Sequence, residues 1–187
     1  MNKIKDINAE FKKANKAQKR VMIAQDVLAQ LKAKRYVAES GCWVQANYNS
    51  TATLADAKHT DSVKELFAEK KIESCNVCAL GGLFMSCTNF NNNTLLEDLD
   101  DVSEDLGNLI NEEEKLSNKL NKIFSTPQLK LIETYFEANG GYFRDYDEDN
   151  RIEAFYNKHP SDKKRLQLIM ENIVENEGTF VPAKLKV

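Results

Sequence analysis

No apolar run in this 187-residue sequence is long enough to cross a bilayer. The longest apolar-rich stretch, Val77 to Cys87, has 11 residues, whereas a transmembrane helix needs about 20. Lys3 and Lys5 are not followed by the apolar core of an export signal. These absences predict a protein without membrane contact. They also predict that the four cysteines are reduced thiols in a cytosol rather than disulfides.

Proline and glycine are also scarce, with three and seven residues, and no linker rich in them interrupts the chain. No internal repeat is visible. Apolar residues make up 42% and charged residues 29% of the sequence, which is typical of a globular protein and excludes wholesale disorder. We therefore expect a basic N-terminal arm or helix over residues 1–16, followed by a single helical domain over residues 17–187.

The apolar spacing is helical in most of the chain, and one clear case runs from Ala17 to Arg35. Its apolar residues recur at intervals of three and four: Val21, Ala24, Val27, Leu28 and Leu31. Gly41 predicts the left-handed end of this helix near residues 39–41. The overall pattern predicts an all-α fold, a compact bundle of six to eight helices, with at most a short β piece near residues 42–48.

A central helix is predicted over residues 78–89, where a stripe comprises Ala79, Leu80, Leu83, Phe84 and Cys87. Gly81 and Gly82 lie inside this stripe, although each costs about 1 kcal/mol relative to alanine in a helix. Glycines tolerated in a buried helix usually let another backbone approach closely. We therefore expect this helix to lie at the centre of the core.

Capping residues predict where further helices begin and end. Asp61 starts a helix that ends near Lys71, and Thr126 followed by Pro127 starts another that stops at Gly140 and Gly141. A short helix is expected over residues 150–157. Ser161 caps the last helix, whose core face is formed by Leu166, Ile169, Met170, Ile173 and Val174, and Gly178 terminates it.

Charge is segregated along the chain. Residues 1–35 hold ten Lys or Arg against three acids, whereas residues 97–114 hold nine acids and no base. The ordinary interpretation of both is a solvated helix face. The functional interpretation is a pair of binding surfaces, one basic and one that mimics a phosphate backbone. The candidate binding residues are Lys12, Lys13, Lys16, Lys19, Arg20, Glu97, Asp98, Asp100, Asp101, Glu104 and Asp105.

The four cysteines allow several interpretations. Cys42, Cys75, Cys78 and Cys87 could together hold zinc, but a structural zinc site usually pairs two C-x-x-C knuckles. Free cysteines commonly fill apolar cores, which is the interpretation favoured here, without a metal or cofactor. If Cys78 opens the central helix, the helix dipole is expected to lower its pKa.

Catalytic signatures are missing. A cysteine nucleophile would need a base, and only His59 and His159 are present. Gly41-Cys42-Trp43 is faintly similar to the nucleophile segment of papain-like proteases, but the rest of that signature is absent. The triad Asp145, Asp147 and Asp149 imitates an EF-hand loop, yet Tyr156 stands where the bidentate glutamate belongs. We therefore expect no enzymatic activity.

Two segments carry a family resemblance. One is Cys75-Asn-Val-Cys-Ala-Leu-Gly-Gly-Leu-Phe-Met-Ser86. The other begins at Gln128-Leu-Lys-Leu-Ile-Glu, continues through Arg165-Leu-x-x-Ile-Met-x-Asn-Ile173 and ends at Gly178-Thr-Phe-Val-Pro182. Together they resemble a loose family of small tailed-phage proteins to which no activity is assigned. The resemblance implies a phage origin and the cytoplasm of an infected bacterium, and it offers no catalytic residues to transfer.

These observations predict a phage accessory protein that acts by binding. Its partner would be a host or phage protein or nucleoprotein, with nucleic acid reached through the basic arm. Its most specific form would be an anti-CRISPR-like inhibitor of a host nucleic-acid enzyme or defence complex. The alternatives are a virion or assembly protein that packs as a homo-oligomer, and a zinc module built on the cysteines.

Overall fold

A computed structural model of the chain describes residues 7–48, 70–91, 120–138 and 146–185. The elements in these ranges, in chain order, are α1 (Ile7–Lys13), α2 (Lys16–Lys32), β1 (Tyr36–Ala38), β2 (Val44–Tyr48), β3 (Ile72–Val77), α3 (Ala79–Asn91), α4 (Thr126–Glu137), α5 (Tyr146–Lys158), α6 (Asp162–Glu175) and a 3-10 turn (Pro182–Lys184). Within the same ranges, no helix is both long and apolar enough to traverse a bilayer.

The prediction of an all-α bundle is wrong, because the described residues also form a three-stranded sheet. The strand order is β1-β3-β2; β3 runs parallel to β1 and antiparallel to β2. The β piece expected near residues 42–48 is present as β2. Strands β1 and β3 lie where the sequence predicts the end of one helix and the approach to another. The fold is therefore mixed, with helices packed against a small sheet.

Strand β3 is the middle strand, and its side chains alternate between the core and the outer face. Cys75 and Val77 are fully buried, while Asn76 between them is only partly buried. The sequence did not show this alternation, because short apolar runs do not distinguish a strand from a helix by periodicity. The strand brings Cys75 into register with Tyr36 on one side and Ala46 on the other.

Helix α3 occupies the centre of the core, as the sequence predicted for residues 78–89. Leu83, Phe84 and Met85 are completely buried, and Ala79, Leu80 and Cys87 are nearly so. A Cβ atom added at Gly81 would lie only 1.8 Å from the carbonyl oxygen of Trp43. The predicted close approach of a second backbone is therefore confirmed at Gly81. At Gly82 the neighbours are side-chain atoms at ordinary contact distance.

Several predicted helix boundaries need correction. Helix α2 ends at Lys32, and Lys34 takes the left-handed conformation with φ of 59°. Gly41 also has a positive φ, but it lies in the loop between β1 and β2 and does not cap a helix. Helix α5 begins at Tyr146, four residues before its predicted start. The residues that imitate an EF-hand loop therefore largely belong to a helix.

The last helix follows the sequence prediction closely. The Ser161 side chain accepts a hydrogen bond from the Lys164 N–H and caps α6, which ends at Glu175. Leu166, Ile169, Met170 and Ile173 are fully buried, as the periodicity required. Thr126, which was predicted to be the N-cap of α4, is instead its first residue, and Ser125 occupies the cap position. Helix α4 ends at Glu137, before the predicted glycine stop. The helix predicted over residues 61–71 lies almost entirely outside the described residues, which resume with a turn at Lys70.

Candidate binding surface

Helices α1 and α2 meet at Asn15, and three lysines surround this junction. The Asn15 side chain accepts a hydrogen bond from the Gln18 N–H, and the Gln18 side chain accepts one from the Asn15 N–H. This reciprocal capping box fixes where α2 begins. Lys12, Lys13 and Lys16 are exposed around it, and no hydrogen bond or ion pair engages them within the described part of the chain. Three predicted binding residues are therefore available for contact.

The other two predicted basic residues hold the fold together. Lys19 is partly buried, and its Nζ lies 5.5 Å from the ring centre of Phe11. Arg20 donates from Nε to the Gly178 carbonyl and from Nη1, at 2.8 Å, to the Ile123 carbonyl. These contacts link α2 to segments that are 158 and 103 positions away along the chain. Arg20 is consequently a structural residue and is not part of the open surface.

A groove of about 680 Å³ lies beside the exposed lysines. It runs between the α1–α2 junction and the C-terminal end of α6. Its lining includes the apolar side chains of Val21, Met22 and Val174, each of them partly buried. Three charged residues also line the groove and are exposed, namely Lys13, Glu10 and Glu177. Among these residues only Lys13 was predicted to bind a partner, whereas Val21 and Val174 were predicted to be core residues and are only partly buried. The groove was not predicted, because it forms from segments distant in the chain.

The predicted acidic surface lies outside the described residues. Its six members, between positions 97 and 105, are Glu97, Asp98, Asp100, Asp101, Glu104 and Asp105. Their role in binding stays a prediction from the sequence. His59 also lies outside the described ranges, whereas His159 packs edge-on against Phe155 with ring centres 5.2 Å apart.

Three of the four cysteines are core residues, as the favoured interpretation predicted. Cys75, Cys78 and Cys87 are at most 1% exposed, and only Cys42 is partly accessible. Burial raises the pKa of the Cys75 and Cys78 thiols to about 12. Burial also raises the pKa of Cys42, and the carboxylates of Glu39 and Glu137 add to this effect. Thiols that stay protonated at neutral pH are poor nucleophiles.

Cys78 does open the central helix, but its pKa moves opposite to the expected direction. Its sulfur accepts a hydrogen bond from the Gly81 N–H at 3.4 Å, and its carbonyl accepts the Gly82 N–H. Hydrogen bonds from the helix N-terminus favour the thiolate, yet the loss of solvent around this buried side chain outweighs them. Within the described ranges, no three His, Cys, Asp or Glu side chains gather into a group that could hold a metal ion.

A pair of carboxylates that the sequence did not reveal lies close to Cys78. Glu133 and Glu137 are one turn apart on α4, both are partly buried, and both act electrostatically on the Cys78 thiol. Burial raises the pKa of Glu133 to about 7, and the negative charge of Glu137 raises it further while Lys130 opposes the rise. Glu133 therefore exchanges a proton near neutral pH. The nearby Cys78 thiol is still protonated at that pH, so Glu133 and Cys78 together do not provide an activated nucleophile.

Glu137 also holds the loop between β1 and β2. Its Oε2 accepts the Gly41 N–H at 2.8 Å, while Asp162 Oδ2 accepts the Ser40 N–H at 2.7 Å. Burial raises the pKa of Glu137, and the bond from Gly41 partly opposes that rise. The sequence contained no sign of this contact, because Gly41 and Glu137 are 96 positions apart in the chain.

Comparison of the chain with protein families, with curated proteins and with solved structures finds no match.

Proposed function

We propose that this protein is a phage accessory factor that acts in the cytoplasm of an infected bacterium by binding a macromolecule. The binding site would be the α1–α2 surface, which is formed by Lys12, Lys13 and Lys16 around the junction of the two helices. The observation that supports this most directly is a group of exposed lysines beside an open groove, Lys12, Lys13 and Lys16, for which the described residues provide no hydrogen-bond or ion-pair partner. Unpaired surface cations cost little to bring against an anionic partner, and they accelerate encounter with it. The phage assignment comes from the sequence resemblance alone.

The partner we propose is a host or phage protein or nucleoprotein. In its most specific form the protein inhibits a host nucleic-acid enzyme or defence complex. Contacts made by lysines to an anionic partner are screened by salt, since the Debye length is about 8 Å at physiological ionic strength. The complex should therefore weaken as the salt concentration rises.

A matched set of lysine variants tests this proposal. The variant Lys12→Gln/Lys13→Gln/Lys16→Gln removes the proposed contact charges, and Lys158→Gln/Lys163→Gln/Lys164→Gln removes three exposed lysines from α5 and α6. Tagged proteins are used to capture partners from host lysate, with and without nuclease, and the captured proteins are quantified by mass spectrometry. We expect the first variant to lose a salt-sensitive partner that the wild type and the second variant retain. Equal capture by all three proteins would refute the assignment of this surface.

The acidic residues need their own test, because they are known from the sequence only. Replacing Glu97, Asp98, Asp100, Asp101, Glu104 and Asp105 by Gln or Asn removes the charge of a phosphate mimic and keeps the side-chain size. If mimicry operates, the captured nucleic-acid enzyme should be lost from this variant. Unchanged capture would remove mimicry and leave the lysine surface as the binding element.

A further inference from the structure

The loop between β1 and β2 is held at its exposed glycine by a hydrogen bond and not by packing. Glu137 Oε2, at the end of α4, accepts the Gly41 N–H at 2.8 Å. The preceding residue is held separately, because Asp162 Oδ2 accepts the Ser40 N–H at 2.7 Å. A Cβ atom added at Gly41 would meet none of the described atoms within 4 Å. The position of Gly41 therefore depends on its bond to Glu137.

A second carboxylate lies beside this bond. Glu133 is one turn before Glu137 on α4, and both side chains are partly buried. The two carboxylates act on each other and on the Cys78 thiol, and the Cys78 N–H donates to the Cys42 carbonyl of the same loop. The other titratable or charged groups that the described residues place around the pair and the loop are Lys130 on α4, Asp162 and Arg165 on α6, and Glu39 and Cys42 in the loop.

The charges in this region favour one proton on the pair. Arg165 is already paired with Asp162 at 2.7 Å, and Lys130 is exposed to solvent, which screens its charge. While Glu133 is protonated, the pair carries a single negative charge, and the Gly41 N–H stabilises it. Ionisation of Glu133 adds a second negative charge one turn away, where partial burial strengthens the repulsion. The repulsion falls when Glu137 moves into water, and that movement breaks its bond to Gly41.

We propose that Glu133 and Glu137 form a pH-dependent latch on this loop, closed by the Glu137–Gly41 bond while Glu133 is protonated and opened when Glu133 ionises. In the open form the two carboxylates are farther apart and better hydrated, so Glu133 binds its proton less tightly there. The pKa of Glu133 in the closed form, about 7 instead of 4.5, has the direction that this mechanism requires. Opening should therefore become more frequent as the pH rises from 4.5 to 7 and level off above that range. The latch is distinct from the lysine surface of the proposed function.

Hydrogen exchange of single amides tests this latch, measured by NMR on the full chain at pH 5 and pH 8. Protection factors are compared, because they remove the intrinsic acceleration of exchange by base. The Gly41 amide reports on the latch, and the Ser40 amide is a reference in the same loop. The Cys75 amide, which donates to the Arg35 carbonyl, reports on the sheet.

Three variants complete the design. Glu133→Gln removes the titrating group and keeps the side-chain size, Glu137→Ala removes the bond to Gly41, and Glu153→Gln is the control on the exposed face of α5. In the wild type and in Glu153→Gln, protection of Gly41 should fall about tenfold from pH 5 to pH 8, whereas Ser40 and Cys75 should keep theirs. Glu133→Gln should keep high protection of Gly41 at pH 8, and Glu137→Ala should show low protection at both pH values.

Several results would overturn the latch. One is equal protection of Gly41 at pH 5 and pH 8 in the wild type. A second is a fall with pH that persists in Glu133→Gln, since another group would then be titrating. A third is protection of Gly41 that survives in Glu137→Ala. A parallel loss at Gly41, Ser40 and Cys75 would also overturn it, because the whole region would then be opening and not the one bond.

Discussion

The guanidinium of Arg165 donates hydrogen bonds to five acceptors inside the protein. These are the carbonyls of Phe136, His159 and Pro160, the hydroxyl of Ser40 and the carboxylate of Asp162. The side chain is fully buried and is flanked by the rings of Tyr156 and Phe136. Five donors in a fixed plane are a property of arginine that lysine does not share.

Arg165→Lys is therefore expected to destabilise the protein strongly. The ammonium group has three donors and cannot reach all five acceptors, so buried acceptors are left without partners. We expect a loss of about 3 kcal/mol or more in the free energy of unfolding. Urea denaturation measures this loss, with Arg35→Lys as the control because Arg35 is exposed. Equal stability of the two variants would contradict the structural role of the buried guanidinium.

Alanine substitutions at the two adjacent glycines of α3 are expected to change the stability of the protein in opposite directions. Gly81→Ala forces a Cβ atom against the Trp43 carbonyl, and Gly82→Ala adds one that meets side chains at 3.6 Å or more. Gly81→Ala should lose about 1–3 kcal/mol through overpacking. Gly82→Ala should instead gain up to about 1 kcal/mol from helix propensity. Urea unfolding of both variants is the measurement. If the free energy of unfolding changes in the same direction in both variants, the close approach at Gly81 is disproved.

At the scale of elements, helix α4 carries two partly buried carboxylates, Glu133 and Glu137, that are one turn apart. The folded protein binds the Glu133 proton more tightly than the unfolded chain does, because the pKa rises from its ordinary value of 4.5 to about 7. The contribution of Glu133 to stability is therefore greatest below pH 4.5 and is lost as the pH rises through 7. Among the described residues, Glu137 and Lys130 on α4 act on Glu133, and Asp162 and Arg165 on α6 act on Glu137.

Glu133→Gln should remove this loss of stability with rising pH. We expect the variant to melt at a higher temperature than the wild type at pH 8 and at a similar temperature near pH 4.5. Thermal unfolding followed by circular dichroism across this range is the measurement. Glu153→Gln, on the exposed face of α5, is the matched control and should leave the pH dependence unchanged. A Glu133→Gln curve parallel to the wild type would rule out proton uptake at this site.

One aromatic stack connects helix α1 to the central helix α3. The Phe11 ring lies parallel to that of Phe90 with centres 4.5 Å apart, and Lys19 lies over the Phe11 ring as well. Phe11→Ala should detach α1, increase hydrogen exchange in residues 7–13 and weaken any ligand held by Lys12 and Lys13. Ile7→Ala is the control, since Ile7 is 54% exposed. Unchanged exchange in Phe11→Ala would mean that other contacts hold the helix.

The elements that the sequence predicted well have strong local signals. Helices α3, α4 and α6 have long apolar stripes, and α4 and α6 also have recognisable caps. Strand β1 has only three residues, which is too short for a recognisable pattern. Strand β3 is defined by its pairing with β1 and β2, which lie between residues 36 and 48, and its own sequence does not show this pairing. The boundaries of these strands depend on tertiary pairing.

The surface was predicted only in part, for a similar physical reason. Lys12, Lys13 and Lys16 are exposed, as a basic arm would require, and this follows from composition. The structural roles of Lys19 and Arg20 depend on Phe11, Gly178 and Ile123, which no spacing rule connects to them. The groove and the Glu133–Glu137 pair likewise form only when distant segments meet.

On the scale of the whole molecule, the unequal burial of the thiols makes Cys42 a natural point for attaching a spectroscopic label. All four cysteines lie in the described part of the chain, and the other three are shielded from solvent. A maleimide dye should therefore react once per native chain and four times after denaturation. The dye would report on the β1–β2 loop next to Glu137, and its fluorescence could follow movement of that loop without any engineered cysteine.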